Sequence, residues 1–199
     1  MTFHIVDSTT KNIIRILLCT VFGFLISCNQ PDHESTYTKY IYSYNIAGFK
    51  SISGIIADTI ILKDIEGYEV RYTRSQFKKY YLWDSVFKPE IRVISLTCTD
   101  STVEVTQSTS SQRFEFLENS PLITRKRIYF QNGKIKTIEN LEYLNVNWGI
   151  WTRKRDSLVN WIDLNHTDLS GFIYDQSLIG AQKYMEAIKL YNQANGRMP

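Results

Sequence analysis

A two-residue turn, Asn132-Gly133, joins two runs of β-forming residues and restricts the fold more than any other feature of the chain. Asn-Gly accepts the positive φ angles of a type I′ turn, so the strands ending at Phe130 and starting near Lys134 should pair antiparallel. Other runs rich in β-branched and aromatic residues are bounded by polar turns and predict strands over 58–62, 91–99, 102–110, 113–118, 122–130 and 135–144. The centre of the chain is therefore predicted to be an antiparallel sheet.

Helical patterns lie on both sides of these strands. From Thr36 onward, aromatic and aliphatic residues recur at i, i+3, i+4 and i+7, which predicts an amphipathic helix. Further helices are predicted over 49–57, from a cap at Thr73 or Ser75 to Pro89, from a cap at Asn147, and from a cap at Asp175 to Gly196. The predicted fold is α+β, with N-terminal helices packed on an antiparallel sheet and two extra C-terminal helices.

The last predicted strand does not alternate cleanly. Ile135, Leu141 and Tyr143 share one parity, whereas Ile138 and Leu144 share the other. Apolar residues on both faces are typical of a strand in a sheet that is covered on both sides. We therefore expect the N-terminal helices on one face, and the C-terminal segment, a ligand or a second subunit of a homodimer on the other.

The N-terminus has the features of a secretion signal. Lys11 and Arg15 precede an apolar run, 16–27, which is shorter than the roughly 20 residues of a membrane-spanning helix. The run ends in Leu25-Ile26-Ser27-Cys28, which resembles the lipobox of bacterial lipoproteins. The resemblance implies cleavage before Cys28, lipidation of its thiol, and anchoring by two or three acyl chains such as palmitate. An uncleaved signal anchor with an incidental cysteine is the alternative.

Lipidation would also divide the chain and locate it. The expected parts are a signal peptide (1–27), a polar tether (28–35), an α+β domain (36–145) and a helical extension packed on that domain (146–199). The lipid would hold the protein at the bacterial cell envelope, and Asn29 after the cysteine favours the outer membrane. Cys98 is expected to be a small buried strand residue. Asp100-Ser101-Thr102 and three similar tripeptides resemble the O-glycosylation signal of secreted Bacteroidota proteins.

Charge and composition exclude several classes of partner. The formal net charge is only +3, which argues against nucleic acid. Three histidines and three cysteines offer neither the spacing of a metal site nor a disulfide scaffold. The chain has no Gly-rich phosphate loop and no nucleophile elbow, so no cofactor is expected.

Four segments occur in an order typical of one family. Ala57-Asp58-Thr59-Ile60-Ile61 opens the first strand after a helix pair, and residues 72–77 open the third helix. Residues 127–135 form a closing hairpin, with Glu142-Tyr143 after it. Over about residues 36–145 the chain thus resembles the nuclear transport factor 2-like fold and, within it, the SnoaL-like (polyketide-cyclase-like) group.

This resemblance implies a cone-shaped sheet whose concave side forms a ligand pocket with the helices. The aromatic candidates for its lining are Tyr44, Tyr81, Trp83, Phe114, Phe116 and Tyr129. Acid–base chemistry would need a desolvated carboxylate or histidine; the available groups are Asp58, Asp84, Glu115, Glu142 and His166. Glu142 and Asp58 are the candidate bases, with a tyrosine such as Tyr72 or Tyr143 as proton donor. Leu144-Asn145 stands where family enzymes often carry an acid, which favours a non-catalytic protein.

Three functions remain open at this point. The protein could bind a small hydrophobic ligand or a protein partner without catalysis, act as an acid–base lyase or isomerase on a hydrophobic molecule, or serve as a dimerising structural subunit. A buried carboxylate within about 3 Å of a tyrosine hydroxyl, in a cavity of a few hundred Å³, would favour the enzyme. A cavity lined only by aromatic residues would favour binding, and a filled core would favour the structural subunit.

Overall fold

The computed structural model describes residues 32–99 and 101–196. The lipobox Leu25-Ile26-Ser27-Cys28 and Asp100 lie outside the described residues. The helices are α1 (His33–Tyr42), α2 (Phe49–Ile55), α3 (Arg74–Ser85), α4 (Gln112–Phe116), α5 (Trp148–Asn165) and α6 (Leu178–Ala194). The strands are β1 (Ile56–Lys63), β2 (Glu69–Thr73), β3 (Glu90–Cys98), β4 (Thr102–Ser110), β5 (Leu122–Gln131) and β6 (Lys134–Tyr143). In the part of the chain that the structure describes, none of these helices is long and apolar enough to cross a bilayer.

The six strands form one curved sheet in the order β2-β1-β6-β5-β4-β3. Every neighbouring pair is antiparallel except β1 and β6, which run parallel. Asn132 and Gly133 have φ angles of 51° and 71° and join β5 to β6, as the type I′ prediction requires. The predicted α+β class, with N-terminal helices on a curved sheet and two long C-terminal helices, is confirmed.

Two hydrophobic cores hold the elements together. The first lies between the N-terminal helices and the sheet, where Tyr37, Tyr40 and Ile41 of α1 pack against strand residues such as Ile128 and Ile135. The second joins the end of α3, α4 and the C-terminal helices through buried residues that include Phe87, Phe116, Leu117, Leu158, Ile162 and Tyr184. The C-terminal helices therefore pack beside the sheet, against α3 and α4.

Two bulges in β6 explain its irregular pattern. Phe130 pairs with Ile135 but Tyr129 with Thr137, and Lys126 pairs with Asn140 but Arg125 with Glu142. Each extra residue reverses the parity of β6. The side chains that face the helices are consequently Ile135, Ile138, Asn140 and Tyr143.

The expected second cover on the sheet is therefore not the cause of the pattern. The outer face carries solvated polar pairs: Arg125 with Glu142, Arg127 with Glu104, and Tyr129 with Glu139. Such a face needs no apolar cover.

Two predictions for the middle of the chain are wrong. Residues 113–118 were expected to be a strand, but Ser111 caps a short helix, its Oγ accepting the N–H of Phe114. A capped turn satisfies backbone donors that a strand would leave for a neighbour, and two phenylalanines at i and i+2 imitate strand alternation. Cys98 is exposed, because it is the last residue of the edge strand β3.

Several boundaries also differ from the predictions. α1 begins at His33, so residues 33–35 of the expected tether are helical. Ser177 rather than Asp175 caps the last helix, since its Oγ accepts the N–H of Gly180 while Asp175 accepts the N–H of Ser177. Of the two caps predicted for α3, Thr73 and Ser75, it is Thr73 that caps the helix, and the predicted cap Asn147 is confirmed. Strand β2 was missed because its five residues are too short for a clear pattern.

Candidate functional site

A cavity of about 340 Å³ lies between the helices and the inner face of the sheet. Aromatic side chains form much of its wall: Tyr40, Tyr44, Phe77, Tyr80, Phe114, Tyr143, Trp148 and Trp151. Trp148 is half exposed and contacts the ring of Tyr143 at 5.3 Å between centroids, so it stands at the edge of the cavity. The size and the aromatic wall are those of a small-molecule site.

The first turn of α5 closes one side of this cavity. Asn147 caps α5 through its Oδ1, and its own N–H donates to Asn119 Oδ1 at 2.7 Å. This anchor places Trp151 against Phe114, with 5.6 Å between ring centroids. The C-terminal extension thus supplies part of the cavity wall, in addition to its own core.

Strand register brings polar groups onto the same inner face. Thr124 of β5 lies opposite Gln107 of β4 and Tyr143 of β6. Lys126, two residues further along β5, lies opposite Asn140. All five side chains line the cavity, because residues directly opposite each other on neighbouring strands point to the same side of a sheet.

Asp84 of α3 is the carboxylate that lines the cavity. Its Oδ2 accepts a hydrogen bond from the Tyr44 hydroxyl at 2.8 Å, and its Oδ1 lies 3.8 Å from Nη2 of Arg113. Burial, and then the negative charge of Asp84, raise the pKa of Tyr44 well above its ordinary value. Tyr44 therefore acts as a neutral hydrogen-bond donor.

Arg113 is held by aromatic rings as well as by Asp84. Its guanidinium carbon lies 4.7 Å from the ring centroid of Trp83 and 5.0 Å from those of Phe87 and Phe114. Stacking of this kind fixes a planar cation in place. The Arg113 charge is thus matched by Asp84 and by π-faces.

Lys126 has no such partner. Among the described residues, no hydrogen bond or ion pair reaches its ammonium group. Burial lowers the pKa of Lys126 to about 8, and the charge of Asp84 opposes part of that effect. Lys126 therefore brings to the cavity a positive charge that no described residue neutralises by direct contact.

Two neighbours of Lys126 are also unsatisfied. The Thr124 Oγ1 and Asn140 Oδ1 atoms are buried and have no hydrogen-bond partner among the described residues. Buried polar atoms are usually paired, and exceptions tend to mark functional sites. The three groups form a polar end of the cavity, which also contains the pair of Asp84 and Arg113 and a wall of aromatic rings.

The six aromatic candidates from the sequence divide into two sets. Tyr44 and Phe114 line the cavity. Tyr81 packs behind Tyr44 at 5.1 Å between ring centroids, and Trp83 lies behind Arg113.

The other two candidates lie in different parts of the fold. Phe116 belongs to the second core, where it contacts Tyr191, because α4 is a helix. Tyr129 lies three residues after Lys126 on β5, so its side chain is on the opposite, outer face of the sheet. Its hydroxyl donates a hydrogen bond to Glu139.

The two candidate bases lie away from the cavity. The carboxylate of Asp58 is almost fully exposed, with its Oδ1 2.6 Å from Nη2 of Arg74. Glu142 is on the outer face, 3.0 Å from Arg125. Asp84 was one of five groups available from the sequence, and its helical spacing from Phe77 was the signal that could have singled it out. In the described part of the chain, no three potential metal ligands cluster.

Comparison with known proteins finds similarity in solved structures. No protein-family model matches the chain, and no curated protein matches it in sequence. A nuclear transport factor 2-like protein of unknown function from Cytophaga hutchinsonii is 9% identical, with 57% of this chain and 91% of that chain covered and a TM-score of 0.45. A SnoaL-like protein of unknown function from Burkholderia thailandensis is 10% identical, with 57% and 95% covered and a TM-score of 0.45.

A third similar structure has a ketosteroid isomerase-like fold. It comes from Catenulispora acidiphila and was solved in complex with trimethylamine. The two chains are 9% identical, with 55% of this chain and 85% of that chain covered and a TM-score of 0.43. At such identities the likeness concerns the arrangement of helices and strands and not the chemistry of a site.

The unpaired charge of Lys126 should be measurable as a loss of stability. At pH 7 the group is protonated in both the folded and the unfolded chain, so the full cost of burying it is present. Lys126→Met should raise the free energy of unfolding at pH 7 by on the order of 1–3 kcal/mol. Between the folded pKa of about 8 and the ordinary value of 10.5, the unfolded chain binds more protons, so wild-type stability should rise with pH.

Urea unfolding at pH 7 and at about pH 9.5 measures both effects. The advantage of Lys126→Met over the wild type should shrink at the higher pH. Lys79→Met is the matched control, because Lys79 is exposed on α3 and should give no change at either pH. Equal or lower stability of Lys126→Met at pH 7 would contradict the burial argument.

Proposed function

We propose that this protein binds a small amphipathic molecule in the cavity of the α+β domain. The apolar body of the ligand packs against the aromatic wall, and an anionic head group lies at Lys126. The observation that carries this proposal is the ammonium group of Lys126, which lines the cavity without a partner among the described residues.

The charges of the cavity favour an anion over a cation. Arg113 is matched by Asp84, and Lys63 lies 3.6 Å from Glu69. Lys126 then remains as the unmatched charge. A carboxylate is a suitable complement, because a charge-assisted hydrogen bond in a low-dielectric site is worth more than one in water.

The groups around Lys126 narrow the ligand class further. Thr124 and Asn140 are neighbours of Lys126 on the inner face of the sheet, where the Thr124 hydroxyl can donate a hydrogen bond to a carboxylate and Asn140 Oδ1 can accept one from a hydroxyl head group. The aromatic wall suits an aryl or alkyl chain. The structural-subunit hypothesis needs a pocket filled by side chains, which a cavity of about 340 Å³ does not support.

Acid–base catalysis is the second candidate function. The Tyr44 hydroxyl lies 2.8 Å from the Asp84 carboxylate in this same cavity, which meets the geometric condition set for an enzyme. Asp84 would then abstract a proton next to a carbonyl, with a phenol such as Tyr80 as donor. Tyr44 and Arg113 already engage both oxygens of Asp84, so a substrate would have to share one of them. Binding requires no such rearrangement and is the first choice.

The same proposal places the domain at a bacterial cell envelope. Its support is the apolar run that ends in Leu25-Ile26-Ser27-Cys28. A lipid on Cys28 would hold the cavity at a membrane surface, where amphipathic carboxylates concentrate. The outer membrane is the favoured location, on the basis of Asn29.

Ligand binding can be tested with a matched pair of probes. 3-Phenylpropanoate and 3-phenylpropan-1-ol share an apolar body and differ in the charge of the head group. The acid should bind more tightly, and Lys126→Met should weaken its binding about 10-fold or more without affecting the alcohol. Raising the pH above about 8 should weaken the binding of the acid, because Lys126 loses its charge, and should leave the binding of the alcohol unchanged. Titration calorimetry measures these constants; equal affinity for the two probes, or for Lys126→Met and wild type, would contradict the proposed head-group site.

The enzymatic alternative has its own assay. In D₂O, 4-phenylbutan-2-one should exchange the hydrogens next to its carbonyl if Asp84 acts as a base. Asp84→Asn should reduce the exchange rate at least 100-fold, whereas Glu142→Gln, on the outer face, should not. NMR follows the exchange, and a rate equal to that of the buffer would exclude this candidate for simple ketones.

Lipidation is tested through the two cysteines of the expected mature chain. In a bacterial host, the wild type should incorporate labelled palmitate and sediment with membranes. Cys28→Ser should lose the label because the acylated thiol is gone, and Cys98→Ser should retain it. A wild type without label, or loss of label in Cys98→Ser, would contradict the assignment.

A further inference from the structure

Lys126 has a chemical property that anion binding does not use, namely a primary amine inside a cavity. We propose that Lys126 forms an imine with a small aldehyde or ketone whose apolar body occupies the aromatic part of the cavity. The inference rests on the proposed function, because the same cavity must first admit the ligand. It adds a covalent site and the class of compound that would react there.

The position of Lys126 favours reaction over a purely structural role. It lies in the middle of β5, between Val105 of β4 and Asn140 of β6, on the face that lines the cavity. Lys63, which also lines the cavity, pairs with Glu69, and Lys154 pairs with Glu118. No contact of that kind has to break before the nitrogen of Lys126 can attack, as far as the described residues go.

The protonation state of Lys126 supports the same conclusion. Only a neutral amine is a nucleophile. Because burial lowers the pKa of Lys126 to about 8, roughly half of its amines are neutral near that pH. An ordinary exposed lysine, with a pKa near 10.4, is less than about 1% neutral under the same conditions.

The reaction is a condensation in which no group is oxidised or reduced. The nitrogen lone pair attacks the carbonyl carbon, a C–N bond forms, and the carbonyl oxygen takes up a proton that the nitrogen loses. The resulting carbinolamine then expels its hydroxyl group while the nitrogen lone pair forms the C=N bond, and the nitrogen gives up its remaining proton to the departing hydroxide, which leaves as water. The Thr124 hydroxyl and the Asn140 carboxamide have free hydrogen-bonding atoms next to Lys126. The Thr124 hydroxyl can donate to the oxygen while the nitrogen attacks, and Asn140 Oδ1 can accept from the carbinolamine hydroxyl once it has formed.

Reductive trapping tests the proposal on the full-length chain. The protein is incubated with 3-phenylpropanal and sodium cyanoborohydride, which converts an imine into a stable secondary amine. One adduct is expected, with the added mass of the aldehyde less one oxygen atom. Peptide mapping should place it on Lys126, at a rate at least 10-fold above that of any other lysine and with an optimum near pH 8.

Variants separate the cavity amine from surface amines. Lys126→Arg keeps the charge but not the nucleophile and should give no fast adduct, whereas Lys79→Arg should react like the wild type. Mapping of the wild type alone already decides the site, so the test stands even where Lys126→Arg does not fold. Adducts spread evenly over exposed lysines, or a Lys126→Arg variant that reacts as fast as wild type, would overturn the proposal.

A parallel measurement distinguishes this proposal from the proposed function. The tryptophan fluorescence of the same samples reports binding of 3-phenylpropanoate and 3-phenylpropan-1-ol, since Trp148 and Trp151 line the cavity. Binding of these probes without an adduct on Lys126 would overturn the imine and leave the binding function intact. Absence of both binding and adduct would overturn the two proposals together.

Discussion

The register between β5 and β6 is the constraint on which the cavity depends. The turn at Asn132-Gly133 starts the pairing, and two bulges in β6 then return its inward side chains to the helix-facing side. This pairing sets Asn140 beside Lys126 and Tyr143 beside Thr124. A slip of β6 by one residue would turn Asn140 and Tyr143 to the outer face, where solvent would hydrate them. The local twist and bend of bulged strands also help to curve the sheet around the cavity.

The C-terminal helices add to the enclosure of the cavity, which the sheet forms on one side. α5 contributes Trp148 and Trp151 to the cavity wall, and α6 packs Tyr184 against Phe87 at the end of α3. Arg113 lies where the second core meets the cavity, stacked on aromatic rings and facing Asp84. The enclosure lowers the local dielectric, which makes the ammonium of Lys126 costly to bury and strong in binding an anion.

The polar end of the cavity works against stability. A methionine at position 126 would fill the same inward position without a buried charge, and Thr124 and Asn140 leave hydrogen-bonding atoms unused. Local departures from a well-satisfied core are expected where a protein binds or transforms a ligand. The proposed anion site and the proposed imine both assign a function to these same three residues, and both require that the side chain of Lys126 faces the cavity.

The sequence by itself determined the local features: the type I′ turn, the cap at Asn147, the order of the longer helices and strands, and the presence of a C-terminal extension. These follow from residues within a few positions of one another. Only the tertiary structure decided that a short helix, Gln112–Phe116, replaces the strand predicted over 113–118, that Asp84 rather than Glu142 lines the cavity, and that Lys126 points inward. The direction of a strand side chain depends on bulges and on pairing with distant strands, so residue alternation within one segment could not fix it.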